Sequence, residues 1–353
     1  SGLAGHPQTA VYGLYLALAW FVVRTRQSGA PIGRSARLGL AWLALGAGLS
    51  AAQWLPSAWL LAQSDRAVSI EDLTTGLRWR DLATIAAAPR ARSGDPGVAP
   101  DSAAAIVWAP LFVGGIALAL TGWGATRDRR ALFWAAAALV GLVLSMGDES
   151  PIFAPIARWL PGIALFRHPE RIAVVFALGM SVSAGIGLDR LLHHPPDARS
   201  LGRACLALAG GAALAAAWLV LSGRAAAVVW SDGLVLAALA LLAGGILLAA
   251  VAGGRVAPRA LGPGLLLLLL LELFSANRGR ALTTYRDEFA PDPIVAALVT
   301  RARDGRVSSE ALLPGGANAA SVFGLYDVTG DVALLPATVG RLEQLPEMVR
   351  WRL

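Results

Sequence analysis

One cysteine, no lysine and four histidines are all that 353 residues provide of three chemically useful side chains. A single thiol excludes an internal disulfide and any multi-cysteine metal centre, and Cys205, at the start of an apolar stretch, reads as a small buried hydrophobe. Charged residues amount to 15% and aromatics to 7%, a charge content well below that of an ordinary water-exposed domain. No glycine-rich phosphate loop, zinc-ligand spacing or Ser-His-Asp arrangement stands out, so no motif argues for those chemistries. The first residues carry no basic, apolar, small-residue leader pattern before the chain enters an apolar stretch. The expectation is an internal piece of a longer protein, with upstream spans and the rest of a C-terminal domain outside it.

Apolar residues fill this space, at 56% of the chain and a mean hydropathy of +0.60. A bilayer is the natural solvent for such a composition. A helix crosses the hydrocarbon with roughly 20 apolar residues. Spans are predicted at Leu3 to Val23, Leu38 to Leu61, Ala103 to Ala125, Ala131 to Gly147, Ile172 to Leu192, Ala204 to Ser222, Leu234 to Ala252 and Leu261 to Ser275. Their Gly and Ala content suits close approach of helix backbones in lipid. The predicted fold is an all-α polytopic membrane bundle of about eight transmembrane helices over residues 1–276, followed by part of an external α/β domain over 277–353.

Arginine density between spans alternates. Segments 24–37, 124–130, 188–203 and 253–260 hold 12 Arg against 3 acidic residues, whereas 63–105, 147–171, 223–232 and 272–353 hold 18 Arg against 20. The first set is predicted cytoplasmic and the second external. The net charge of +7 is therefore an inside bias rather than a nucleic-acid footprint, and no nucleic-acid partner is expected. The implied location is a bacterial cytoplasmic membrane, crossed many times, with the C-terminal domain extracytoplasmic.

The external loops are the unusual ones. In 63–105, Ile70 to Ala88 mixes Leu73, Leu77, Leu82 and Ile85 with Arg78, Arg80 and Asp81 at helical spacing, which predicts an interfacial helix on the outer leaflet. In 147–171, Ile152 to Phe166 is a proline-broken amphipathic piece with Trp159 near its middle, suited to the headgroup layer. The tail reads helix-like over Pro291 to Arg303 and strand-like over Val322 to Val328.

Several strings together resemble a known family. Gly5-His6-Pro7-Gln8 precedes a Tyr-rich span, and Gly147-Asp148-Glu149-Ser150-Pro151 follows the fourth. Leu160-Pro161-Gly162 leads to Phe166-Arg167-His168-Pro169-Glu170-Arg171, and the tail carries Ser321-Val322-Phe323-Gly324-Leu325-Tyr326-Asp327-Val328-Thr329-Gly330. In order, spacing and membrane side these resemble the bacterial YfhO-like membrane proteins over nearly the whole chain. That family is similar to the C-type glycosyltransferases. The resemblance implies a polyprenyl-phosphate-linked sugar as donor, bilayer lipids as surroundings, and a cell-envelope glycopolymer such as lipoteichoic acid as acceptor. The catalytic carboxylate it implies belongs to a first external loop that this sequence does not contain, so no residue is assigned as the family's base. The tail departs from the family pattern at Gly330-Asp331-Val332, where an aromatic residue is expected after the glycine.

Sugar transfer from a lipid phosphate needs a carboxylate to accept the acceptor's proton, and cations or a metal to hold the departing phosphate. Arg167 and Arg171 flank His168 and Glu170 at the outer mouth of the fifth predicted span, and a guanidinium grips phosphate bidentately. Arginine at a span end also serves as a headgroup anchor. His6 and Gln8, at the outer end of the first span, are candidates for a substrate hydroxyl or for interhelical bonds. Asp148 and Glu149 are candidates for a divalent cation, the only cofactor considered, or for capping the helix after them. His6, Asp148, Arg167 and Arg171 are expected in one external cleft.

Asp65 and Arg66 read as a surface pair, and His193 and His194 as cytoplasmic surface residues. Glu272 interrupts a leucine run near a span's outer end, a functional candidate that is also close enough to reach water. The alternative to an enzyme is a non-enzymatic transporter or lipid-handling scaffold, which inverted repeats and broken half-helices would favour. A third possibility is an assembly partner whose external domain binds another protein.

Overall fold

The computed structural model describes residues 7–63, 76–87, 111–163, 166, 168–222, 225–276, 293–301, 306–307 and 322–327. Each of the eight apolar stretches contains a helix, the third only over its second half: α1 Pro7–Ser28, α2 Ile32–Ala62, α3 Gly115–Ala125, α4 Arg129–Ser145, and, after the short α5 Phe153–Trp159, α6 Ala173–His193, α7 Ala198–Leu221, α8 Ala225–Ala252 and α9 Leu261–Ala276. Five helical stretches, Ile32–Leu60, Pro169–His193, Ala198–Leu221, Asp232–Ala252 and Pro258–Ala276, are long and apolar enough to cross a bilayer.

Two compact units divide the chain. The first comprises Ser1–Ser50 and Val68–Arg278, the second Ala51–Ala67 and Gly279–Leu353. Within the first, α7 lies along α8, α4 and α3 along α6, and α8 along α9. Ile116, Leu120, Leu191, Leu201, Leu248 and Leu261 form its largest core, which also encloses Cys205, only 2% exposed. A second cluster joins Leu77, Leu111, Ala138, Met146, Phe176 and Met180.

Lipid tails are as apolar as leucine, so these helices associate through close packing and interhelical hydrogen bonds rather than by escaping water. Gly187 of α6 meets α3 so closely that a Cβ there would stand 2.6 Å from the Leu120 carbonyl oxygen. Thr121 of α3 donates its hydroxyl to the Met180 carbonyl (3.1 Å), and Ser183 of α6 donates to the carbonyl of Ala131 (3.0 Å). On α1, Trp20 stacks obliquely on Phe133 and Trp134 of α4, with ring centroids 5.0 and 5.3 Å away. The helix α2 contributes no buried apolar side chain among its described residues: Leu38, Leu40, Leu45 and Leu49 are all exposed, the composition of a lipid-facing helix.

Helix ends are set locally. Asp128 caps α4 by accepting from the Arg130 N–H at 2.7 Å, and its carboxylate also takes the Arg130 guanidinium at 3.0 Å. That guanidinium holds the Asp128 carboxyl below its ordinary value. Pro195 and Pro196 follow α6, where proline cannot continue the backbone bonding pattern.

Four of the loops meet in two pairs. Segments 124–130 and 188–203 meet through Arg190 donating to the Arg127 carbonyl (3.1 Å), and beside them the Trp123 indole of α3 donates to Ser200 (3.0 Å). Segments 76–87 and 147–171 converge on the opposite ends of α4 and α6. These pairings follow the alternation of arginine density in the sequence.

The segment read as an interfacial helix differs from expectation. Its described part is a 3-10 helix, Trp79–Ile85, preceded by a strand-like entry whose Leu77 N–H donates to the Ser145 carbonyl at 2.9 Å. Leu77 is buried in the second cluster, and Leu82 and Ile85 pack against it. The apolar side chains that suggested lipid contact are used on the protein itself. Gly76 lies so close to the end of α4 that a Cβ there would run into the Met146 carbonyl. Residues 70–75 lie outside the described residues.

In the second unit, α10 Pro293–Arg301 and a two-residue parallel pair, β1 Arg306–Val307 with β2 Tyr326–Asp327, are described. Arg306 pairs with Tyr326 and Val307 with Asp327. The helix lies within the stretch read as helix-like and β2 within the one read as strand-like, whereas β1 falls outside both. The expected α/β domain is not shown among the described residues.

Candidate functional site

Gln8 organises the site. Its face of α1 follows from spacing, since Gln8, Tyr12 and Tyr15 recur at intervals of four and three and so project together. The buried Gln8 amide donates to the Tyr12 hydroxyl (2.8 Å) and to the His168 carbonyl (2.7 Å). Tyr15 donates its hydroxyl to the Pro161 carbonyl at 2.7 Å. The two bonds from α1 thus fasten both ends of the segment between α5 and α6. Phe166 meets Tyr12 edge-on, with ring centroids 6.4 Å apart. Beneath them lies an apolar floor of Tyr12, Leu144, Phe153, Ile163 and Ile172.

His168 stands at the entrance to the 3-10 helix Pro169–Ile172. Its ring Nδ1 lies 2.9 Å from Glu170 Oε1. The Glu170 side chain is 6% exposed and the His168 side chain 45%. A carboxylate so deeply placed requires hydrogen-bond partners, and the imidazole is one of them. Arg171, on the next residue, is half-buried, and both it and Glu170 lie within electrostatic reach of the Tyr12 phenol.

Gly147 brings a second loop to this place. It follows α4 with φ +56°, a left-handed conformation in which glycine avoids the Cβ penalty. A Cβ there would also stand 2.9 Å from Pro169 Cγ. The turn Gly147–Glu149 therefore abuts the turn holding His168 and Glu170, with Asp148 and Glu149 exposed beside it. Neither acid caps α5, whose N-cap is Ile152 with no side-chain bond. Among the described residues no three His, Cys, Asp or Glu side chains gather as metal ligands, so the divalent-cation expectation for Asp148 and Glu149 finds no third donor there.

The structure thus joins Gln8, His168 and Glu170 directly and sets Arg171 and Asp148 on adjoining turns. His6, Arg167, Asp65 and Arg66 lie outside the described residues. Tyr12 and Tyr15 were not singled out from the sequence; their spacing from Gln8 is the signal that identifies them. His193 and His194 are exposed, and the His193 ring bonds the Asp189 carbonyl of its own helix at 2.8 Å.

Glu272 occupies a different place from the one expected. It is 1% exposed, and Oε1 accepts from the Gly115 N–H at 2.8 Å. Its carboxyl serves the first free N–H groups of α3. Gly114, at φ +94°, makes room for it, since a Cβ there would stand 3.0 Å from Oε2. The leucine run around Glu272 gave no sign of that partner, which comes from a helix 157 residues earlier.

No family model, curated protein or solved structure matches this chain.

Proposed function

We propose that the protein is a membrane glycosyltransferase, or part of one, that moves a sugar from a polyprenyl-phosphate donor to an acceptor outside a bacterial cytoplasmic membrane. In this reading all eight apolar helices cross the bilayer and the arginine-dense loops face the cytoplasm. The loops 76–87 and 147–171 and the C-terminal α/β domain then face outward. The observation that carries the reading is the polar cluster of Gln8, His168 and Glu170, built where the predicted external ends of α1, α4 and α6 converge. Ionisable and polar groups buried at the end of an apolar helical bundle are rare and point to a functional site, and here their hydrogen bonds offset the cost of burial.

The chemistry of the cluster supports the same assignment. In this reading Arg171, together with Arg167 earlier in the sequence, supplies cations for a phosphate, and interface depth strengthens that attraction. Asp148, on the adjoining turn, and His6, just before Gln8 in sequence, are placed in this reading to meet the sugar or a divalent cation. The polyprenyl tail remains in the bilayer, and the acceptor polymer approaches from the external side.

The test is transfer by the full-length protein in proteoliposomes. A radiolabelled sugar on polyprenyl phosphate is expected to appear on polyglycerol phosphate supplied outside. Absence of transfer from polyprenyl-phosphate-linked glucose, N-acetylglucosamine and other hexoses overturns the reading. One observation favours the lipid-handling alternative: an apolar groove of about 730 Å³ between α7 and α8, bordered by Leu206, Ala213, Leu221, Val235 and Leu242. Movement of a fluorescent polyprenyl phosphate between leaflets, without sugar transfer, would be its signature.

A further inference from the structure

We propose that Glu272 is a proton-binding site inside the membrane, holding one exchangeable proton on Oε2 at the point where the third span is broken. The site does not depend on sugar transfer. Its depth follows from the helix lengths. Helix α3 runs only from Gly115 to Ala125, about 16 Å at 1.5 Å per residue, or roughly half of a hydrocarbon layer about 30 Å thick. Residues 111–114, which lead into it, are not helical, yet Leu111, Phe112 and Gly114 are buried. Non-helical backbone at such depth persists where protein encloses it. Glu272 comes to the same place from α9, about 16 Å along that helix from Leu261.

The two carboxyl oxygens are used differently. Oε1 accepts from the Gly115 N–H at 2.8 Å. Oε2 is buried and has no hydrogen-bond partner among the described residues. It faces Gly114, where a Cβ would stand 3.0 Å from it, and a Cβ on Gly115 would stand 3.3 Å from Oε1. Glycine at both positions admits the carboxyl to this end of α3. The surroundings are apolar: Ile116, Leu241 and Leu265 belong to the largest core, and Phe112, Ala237 and Ala276 form a smaller cluster.

A charge on Oε2 would face hydrocarbon side chains with no donor to meet it. A proton there removes the charge, and a lone O–H costs far less than a lone anion. The bond at Oε1 survives, because a neutral carboxyl still offers its carbonyl oxygen. The same geometry lets the proton leave, since the anion then rests on the N-terminal end of α3, whose partial positive charge favours it. A helix end broken within the membrane, with an ionisable group against it, is the form that ion and proton sites take in membrane proteins. A cap alone requires only an acceptor, which an uncharged side chain supplies. The other titratable groups on the packed elements are few. Helix α3 and residues 111–114 carry none, and α9 carries Glu272 alone. On α8 the one such residue is Asp232, which is exposed. On α6 they are Asp189, Arg190 and His193, near the start of α9, where Leu192 meets Gly262, and Arg259 lies just before α9.

The experiment uses purified full-length protein in phosphatidylcholine vesicles at neutral pH. Infrared difference spectra of wild type against Glu272→Gln are expected to show the carbonyl stretch of one protonated carboxylic acid, moved to lower frequency in heavy water and lost in the variant. Dicyclohexylcarbodiimide, an apolar reagent, is expected to modify the same group. The acid O–H adds across one C=N bond: the oxygen bonds to the central carbon, the proton passes to nitrogen, and the adduct rearranges to a stable N-acylurea with no atom lost. The peptide bearing residue 272 should gain one reagent mass in wild type and none in Glu272→Gln. A water-soluble carbodiimide should leave Glu272 unmodified.

A difference spectrum that carries carboxylate bands in place of the acid band overturns the proposal. Modification of Glu272 by the water-soluble reagent also overturns it, because the carboxyl would then stand in water. If Glu272→Gln fails to fold, peptide mapping of wild type decides: dicyclohexylcarbodiimide on the peptide of residue 272 supports the site, and its absence there refutes it.

Discussion

Two glycines on α6, two residues apart, should respond to the same substitution with opposite sign. Gly187 faces α3, and a Cβ there would stand 2.6 Å from the Leu120 carbonyl oxygen and 3.6 Å from Gly124 Cα. The obstacle is backbone, so no rotamer change relieves it, and α3 and α6 must separate by several tenths of an ångström. Separation also lengthens the 3.1 Å bond from Thr121 to the Met180 carbonyl. Overpacking of this kind costs about 1–3 kcal/mol, and the weakened interhelical bond adds about 0.6 kcal/mol. Alanine is the better helix former by about 1 kcal/mol, which offsets part of the loss. Gly187→Ala is therefore expected to lose about 0.6–2.6 kcal/mol. Gly185 is exposed, and a Cβ there would meet nothing within 4 Å. Gly185→Ala should gain up to about 1 kcal/mol from propensity alone. Reversible unfolding in mixed micelles, followed by circular dichroism against the mole fraction of SDS, measures both. Equal shifts for the two variants would refute the reasoning, since they would mean that the α3–α6 approach is not limited by backbone contact at Gly187.

Gln8→Leu should cost about 1–3 kcal/mol, because it leaves the His168 carbonyl without its side-chain donor, and should speed amide exchange in 166–172; exchange unchanged from wild type would show that α1 does not hold this segment. Asp128→Ala should destabilise by about 1 kcal/mol through loss of the α4 cap. Because Arg130 depresses the folded-state value of Asp128, this contribution is fully present above the unfolded Asp value of about 4 and is lost as pH falls through the folded value. Wild type and variant should therefore converge in stability in acid and differ at neutral pH, and a gap that widens on acidification would contradict the sign. Ser28→Cys and Glu149→Cys, both at exposed positions, should label oppositely with a membrane-impermeant maleimide in intact cells, Glu149→Cys outside. Equal labelling would reverse or abolish the proposed orientation.

Sequence was a good guide to the helices because the bilayer's thickness imposes a length and an apolarity that no nearby loop can imitate. Helix α2 is the clearest case, since its composition alone accounts for a helix none of whose described apolar side chains is buried. Segment 76–87 was harder. Apolar and charged residues at mixed spacing look the same whether the apolar face meets lipid or protein, and here Leu77 turns inward beneath a backbone bond to Ser145. The site was legible residue by residue but not as an arrangement. The sequence points to Gln8, His168 and Glu170 separately, yet the contact that unites them spans 160 residues, a separation over which local pattern carries no signal. Glu272 shows the same limit, for its burial depends on a free helix N-terminus that only the packed bundle brings to it.

The burial of Cys205 between packed helices gives the molecule an internal clock. As the sole thiol in the chain, it reacts with a small permeant reagent only when α7 draws away from its neighbours, and every modified molecule records one such opening. The labelling rate of unaltered protein, measured across temperature, would thus follow the breathing of one helix within an intact bundle. A ligand that steadied α7 would slow that clock without touching the sulfur.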